Sequence, residues 1–318
     1  MSIRVVSGET PKSSRQINVV LRTPEPVSVS EAEPQTGGKA VPSQGPFAEI
    51  MKELDQMVGL ENVKELVYEI YALLQIGQYR VDAGLATTQQ VYHMVFKGNP
   101  GTGKTTVARI VAKLFHAMGL LQKGHLVEVE RADLVGEYIG HTALKTRELI
   151  KKAMGGILFI DEAYSLARGG EKDFGKEAID TLVKAMEDYK NQFVLILAGY
   201  SDEMDYFLAT NPGLPSRFPI MIDFPDYAID QLVQIAEWMV KERDYTLIPA
   251  SVMKLRQLLA AEKSQYPSAF SNARFVRNLM EKSVRHQAVR LLGQYANSSP
   301  GRHELMAIRP EDMRVDRR

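Results

Sequence analysis

Apolar residues along the chain change period twice, and the changes divide it into three stretches. Between residues 47 and 225 helical and extended patterns alternate. Val63, Leu66, Val67, Ile70 and Leu74 share one helical face. Residues 91–96 read as a buried strand, and Val107, Ile110, Val111, Leu114 and Met118 mark the following helix, which Gly119 ends. A strand follows at 126–129, then a helix through Leu144 and Leu149. Residues 157–160, Ile-Leu-Phe-Ile, form an unbroken apolar run of the kind a central parallel strand requires. A helix carrying Ile179, Leu182, Val183 and Met186 precedes a fourth strand at 193–198, and Ile220, Ile222 and Phe224 alternate as a fifth. Five strands separated by helices predict an α/β fold built on a doubly wound parallel sheet. Beyond Pro225 every periodic segment is helical (229–240, 252–259 and 275–291), which predicts a small all-helical second domain.

The two ends differ from this pattern. Residues 1–46 hold six of the fifteen prolines among Ser, Thr, Gly and Glu, too little apolar surface to offset the entropy of ordering, so a flexible arm is expected. Within it residues 16–21, QINVVL, have strand composition suited to adding to a sheet edge of a partner or neighbouring subunit. Residues 297–318 read as a charged, weakly periodic tail. The expected division is thus an arm at 1–46, an α/β domain at 47–225, a helical domain at 226–296 and a tail at 297–318.

Composition narrows the function classes. Lys and Arg number 39, Asp and Glu 39, so the net charge gives no electrostatic case for nucleic acid or an anionic membrane. No Cys is present, which removes a thiol nucleophile and fits a reducing compartment. The start lacks the apolar core of a secretory signal, and no run reaches the eighteen or so residues of a membrane-spanning helix. A cytoplasmic protein is expected.

The chemistry is concentrated in Gly98-Asn99-Pro100-Gly101-Thr102-Gly103-Lys104-Thr105, continuing to Thr106, between an apolar strand and a helix. Such a loop turns successive backbone N–H groups toward phosphates, and the helix N-terminus adds partial positive charge. Lys104 is expected to reach the β- and γ-phosphates of a nucleoside triphosphate, and the Thr105 hydroxyl to ligate Mg²⁺. The apolar run at 157–160 ends in Asp161-Glu162, where an open parallel sheet places its ligands. Asp161 is the candidate to hold the metal, and Glu162 to polarise the attacking water. Adjacent carboxylates favour ATP hydrolysis, and the Asn-Lys-x-Asp guanine signature is missing from the chain. A Gly-x-Ser-x-Gly elbow is missing too, which leaves phosphoryl transfer to water as the reaction.

With GNPGTGKT, ILFIDEAYSL, NPGLPSRF and the helical second domain, the chain resembles an AAA+ ATPase over residues 50 to about 295. The segment ERADLVGEYIGHTALKTRELIKKAMGGILFIDEAYSLARGGEKDFGKEAIDTLV is similar to the CbbX/CfxQ group, which includes the red-type Rubisco activase and a sporulation protein, the second the nearer match. This resemblance implies an ATP- and Mg²⁺-dependent motor that assembles as a homo-oligomer, a six-membered ring, and remodels a protein client. It implies an arginine finger at Arg217, a residue that physics alone reads as a surface or ion-pairing arginine before a strand. It implies a second sensor at Arg274, with Arg277 on the same helical face as the other candidate. Val58-Gly59 corresponds to the linker that lies against adenine. Tyr138-Ile139-Gly140 corresponds to a first pore loop that grips the client, and residues 168–172 are candidates for a second. At the fourth strand's end the chain departs from the commoner pattern, with Tyr200 and Ser201 where an Asn or Thr first sensor is usual. Two other readings share the ATP site: a Rubisco activase responding to a sugar bisphosphate, and an ATP-gated assembly scaffold that threads nothing.

Overall fold

The computed structural model describes residues 46–314 except 88–89, 139, 170–172, 268–269 and 297. The Pro-rich arm with its 16–21 segment, and Ile139, lie outside the described residues. Two helices precede the sheet. In α1 (Pro46–Asp55), Phe47, Ile50, Met51 and Leu54 are buried, and Phe47 stacks on Tyr71 of α2 (Glu61–Asp82) with ring centroids 3.4 Å apart.

The alternating stretch folds as β1 (Met94–Gly98), α3 (Lys104–Ala117), β2 (Leu126–Val129), α4 (Arg131–Leu134), α5 (His141–Ala153), β3 (Ile157–Ile160), α6 (Gly175–Asp188), β4 (Val194–Gly199), α7 (Ser201–Thr210) and β5 (Ile220–Phe224), with 3₁₀ turns at Ala163–Ala167 and Pro215–Arg217. All five strands are parallel, in the order β2-β3-β4-β1-β5. Every residue of β3 and β4 is buried, which explains their unbroken apolar sequence. Successive side chains on each strand enter opposite cores. Met94, Phe96, Phe159 and Ile196 join α1, α2 and α3 on one face, while Val95, Leu158, Ile160, Leu195 and Leu197 join α5 and α6 on the other. β1 starts at Met94, three residues later than expected, because its neighbours come alongside only there, at Ile196 and Ile220.

The first core runs on into the C-terminal helices α8 (Ile229–Lys241), α9 (Pro249–Gln265) and α10 (Asn272–Gln294) through Leu232, Val233, Leu255 and Val276. The chain then forms α11 (Arg302–Met306), β7 (Ala307–Ile308) and a 3₁₀ turn at Pro310–Asp312. β7 pairs in parallel with β6 (Thr246–Leu247), a ribbon too short for periodicity to reveal. Residues 302–313 therefore do not stand apart as a charged tail. Asp312, 1 % exposed, takes a two-pronged hydrogen bond from Arg290 of α10 at 2.8 and 2.9 Å. The Gln287 amide donates to the Leu305 and Ala307 carbonyls, and the Ser251 hydroxyl to that of Ile308. Part of the charge in this segment is taken up by internal pairing. Among the described residues no helix is long and apolar enough to cross a membrane.

Candidate functional site

Because β3, β4 and β1 are neighbours, their carboxyl ends bring Ile160, Gly199 and Gly98 side by side, and a cleft of about 330 Å³ opens beyond them. The loop from Gly98 to Thr105 forms its floor. Gly101, at φ 72°, lies so close to the start of α10 that a Cβ there would stand 2.3 Å from the Ser271 carbonyl oxygen and 2.7 Å from the Arg274 nitrogen, so only glycine fits. Gly103, at φ 102°, precedes the first turn of α3, whose free N–H groups face the cleft where Lys104, Thr105 and Thr106 line it. The Lys104 ammonium donates to the Gly98 and Asn99 carbonyls at 2.7 and 2.9 Å. Burial holds its pKa below the ordinary lysine range. Asp161 opposes that shift, Arg274 adds to it, and Asp226 and Glu162 oppose it.

From β3 come Asp161 and Glu162, both lining the cleft. The Glu162 backbone is left-handed, φ 46°, and its N–H donates to the Asp161 carboxylate at 3.0 Å. A non-glycine residue in that region stores strain of the sort found at working sites, and here it accompanies the turn that carries both carboxylates. Arg274 and Arg277 both reach the cleft from α10, so the two candidates for second sensor share one wall. Tyr200 lines it as well and Ser201 does not, which separates the two first-sensor candidates by position.

Residues 94–226 match the model of the ATPase family associated with various cellular activities (AAA), and residues 228–318 match the AAA lid domain. Stage V sporulation protein K of Bacillus subtilis is 56 % identical over 313 residues, 96 % of each chain. The chain belongs to the AAA family of ATPases. A chloroplastic ribulose bisphosphate carboxylase/oxygenase activase of Cyanidioschyzon merolae is 42 % identical over 276 residues, 85 % of this chain and 92 % of that one. In fold, the AAA domain of FIGL-1, solved with ADP, aligns with a TM-score of 0.56 at 16 % identity, covering 81 % of this chain and 80 % of that one. The chain is thus an ATP-hydrolysing enzyme with an AAA domain and an AAA lid, and the cleft lies where the two meet.

Several side chains at the expected nucleotide positions of this AAA domain face elsewhere. The Asn99 amide turns from the cleft to the Asp226 carboxylate, and the fully buried Thr102 hydroxyl bonds the Asn99 carbonyl at 2.8 Å, so both side chains brace the loop. Val58 and Gly59 do not line the cleft. Gly59 rests against Gln231 of lid helix α8, while Met57, Leu60 and Tyr227 pack around Gly103. Arg217 is outside the cleft altogether. It donates to the Gly213 carbonyl at 2.7 Å, pairs with Glu187 of α6, and lines a separate groove with Leu66, Ile70 and Val91. Arg217 in turn holds the exposed Glu187 carboxyl below the usual carboxylate range.

Tyr138 is 65 % exposed in the loop between α4 and α5, its ring edge-on to His141. That loop is firmly rooted. The Gly136 N–H donates to the buried Thr142 hydroxyl, and Lys145 donates to the Ala132 and Val135 carbonyls. Gly140, at φ 80°, precedes α5. Of the 168–172 loop, residues 170–172 lie outside the described residues, and its base is tied down where Arg131 bonds Asp173 and the Ser165 carbonyl, each at 2.6 Å. Arg109 is the cleft residue that sequence reasoning missed. It follows Thr105 by four positions, one helical turn, and that spacing was the available signal.

Proposed function

We propose that this AAA ATPase works as a ring, hydrolysing ATP at subunit junctions and using the energy to remodel a protein client in the cytoplasm, in a sporulation process. One observation carries the reading: the loop, the acid pair of β3 and the arginines of α10 converge on one cleft, while Arg217 of the same chain is turned out of it. The residues present fit a magnesium-bound triphosphate. Thr105, in the first turn of α3, lines the same cleft as Asp161, and Lys104, Arg274 and Arg277 supply more positive charge than the two carboxylates balance. Thr105 and Asp161 would hold Mg²⁺, which when bound neutralises phosphate charge and orients the triphosphate.

Glu162 accepts the proton of the attacking water as the bond between the γ-phosphorus and the leaving ADP oxygen breaks. Lys104 and Arg274 stabilise the charge that builds on the phosphate oxygens, and Arg217 reaches the same oxygens from the neighbouring subunit. Backbone N–H groups of Asn99, Gly101, Thr102 and Gly103 complete the cradle. Asp226, between sheet and helices, is the boundary across which lid and AAA domain move. Tyr138, with Ile139 and Gly140, meets the client, a role its exposure on a rooted loop supports. A closed ring follows from a finger supplied in trans, and six as its number follows from the family resemblance.

Glu162→Gln tests the chemistry. Turnover should fall about 10²-fold or more with nucleotide affinity retained, and the variant should hold its client for identification by mass spectrometry. Turnover near that of the unaltered enzyme would take Glu162 out of its role. Tyr138→Ala separates a motor from an assembly scaffold: steady-state ATP turnover should stay within about twofold while client remodelling is lost, and intact remodelling would favour the scaffold. The similarity to a carboxylase activase supports a second reading, in which ribulose bisphosphate stimulates turnover. ATPase activity and assembly unchanged by that sugar would remove it.

A further inference from the structure

Asn272 opens α10 fully buried, in a left-handed backbone at φ 45°. Asn tolerates that region better than most residues, but glycine holds it with less strain, so the side chain has a task that offsets the cost. Its carboxamide oxygen accepts the Tyr227 N–H at 3.0 Å. Its NH₂ group donates to the Asp226 carboxylate at 2.7 Å and to the Phe270 carbonyl at 3.2 Å, with the Pro100 carbonyl beyond at 3.4 Å. The same Asp226 carboxylate receives the Asn99 side chain on both oxygens, at 3.0 and 3.1 Å. Asn99, Asp226 and Asn272 thus form one polar chain from the phosphate loop, through the crossover out of the sheet, to the first residue of the lid helix. Two further bonds run parallel to it. The Ala273 N–H donates to the Gly101 carbonyl at 3.2 Å, and the buried Tyr227 hydroxyl donates to the Thr102 carbonyl at 3.1 Å.

We propose that Asn272, acting through Asp226 and Asn99, is a positioning residue that fixes the lid helix to the phosphate loop, so that γ-phosphate binding and the setting of the lid become one event. This deepens the nucleotide site proposed above and rests on it, since the side chain being positioned is Arg274, two residues along the same helix. Bonds to a carboxylate in a poorly solvated junction are stronger and more directional than bonds in water, and all three members are wholly or partly buried. The lever is long. A helix of 23 residues spans about 34 Å, so a tilt of about 5° at Asn272 displaces its far end by about 3 Å. A small change in the loop therefore becomes a displacement of the lid surface.

The test uses the full chain and four variants. Asn272→Gly keeps the left-handed backbone without strain and removes the side-chain bonds. Turnover at saturating ATP should fall about tenfold, with a similar loss of affinity for a non-hydrolysable ATP analogue, while ADP affinity changes less than about threefold and the thermal midpoint stays within a few degrees. Unchanged turnover, or equal losses for ATP analogue and ADP, would overturn the relay. Asn272→Asp sets two carboxylates against each other and should be worse. Combining it with Asp226→Asn exchanges donor and acceptor across the same pair and should recover at least about half of the lost turnover, and a double variant no better than Asn272→Asp alone would also overturn it. Arg274→Ala separates this inference from the site it rests on. If Arg274→Ala retains full turnover and ATP affinity, the role given to Arg274 in the site fails; if it is impaired while Asn272→Gly is not, only the relay fails.

Discussion

Arg274 and Arg217 are held in opposite ways, and the contrast supports the proposal that a lone subunit carries an incomplete site. Arg274 stands inside the cleft, on a helix whose first turn touches Gly101, close enough to Lys104 that it helps depress the lysine's pKa. Cations crowded in this way, in advance of substrate, are pre-organised for several negative charges at once. Arg217 ends the 3₁₀ turn just before the edge strand β5, paired with an exposed Glu187 and facing away from the chain's own cleft. Solvent screens an exposed ion pair and leaves it weak, so Arg217 can exchange Glu187 for a phosphate at little cost. On the proposed reading, one arginine serves its own chain's nucleotide and the other a neighbour's.

The largest effect that tests this contrast is expected at Arg217. Arg217→Ala should reduce turnover about 10³-fold, the low end for a finger supplied in trans, with nucleotide affinity unchanged. Mixing it with a Lys104→Ala subunit, which keeps Arg217 but lacks the phosphate lysine, should restore part of the activity in a steady-state assay. If no mixing ratio restores any, Arg217 serves its own chain, and the contrast between the two arginines collapses.

How much of this was legible in the sequence depended on whether a residue's role was local. The loop from Gly98 to Thr105, the strand at 157–160 and the acids that end it are each defined by consecutive residues, and the fold sets them where parallel-sheet logic predicts. α1 was not legible, because it directly follows the Pro-rich arm and its burial depends on a distant ring, Tyr71. α7 was missed because its apolar residues, Met204, Phe207 and Leu208, are too few to impose a period. Asn99 belongs to a loop expected to meet phosphate through its backbone, and nothing in its neighbours' sequence signals that its side chain bonds Asp226, 127 positions away. Asn272 and Asp226 carried no signal at all, since a buried amide and a carboxylate after a strand acquire meaning only once three distant segments meet. The ion pairing of Asp312 with Arg290 was hidden for the same reason, and it turned a presumed tail into part of the lid.

A smaller effect sharpens the contrast by asking what supports each arginine. Behind the Arg217 groove lies His93, 4 % exposed, its ring 5.8 Å from that of Phe193 and 6.2 Å from that of Phe218, the residue after Arg217. Its Nδ1 accepts the Leu195 N–H at 3.0 Å, and burial pushes its pKa down to about 4. A protonated ring would lose that acceptor and place a charge among aromatic side chains, so the folded state binds this proton less readily than the unfolded chain does. The stability tied to neutral His93 is therefore complete above the unfolded value of about 6.5 and is lost as pH falls toward 4, amounting to about 2 kcal/mol between roughly pH 7.5 and 5. His93→Gln keeps an oxygen to accept the Leu195 N–H but cannot titrate. Urea unfolding at the two pH values should show the variant losing about 2 kcal/mol less than the unaltered chain, because the carboxylates that titrate in that range are common to both. Equal losses would mean that the neutral ring is not what holds the sheet beneath Phe218. The outward-facing arginine would then rest on packing alone, as insensitive to acid as the hydrophobic core around it.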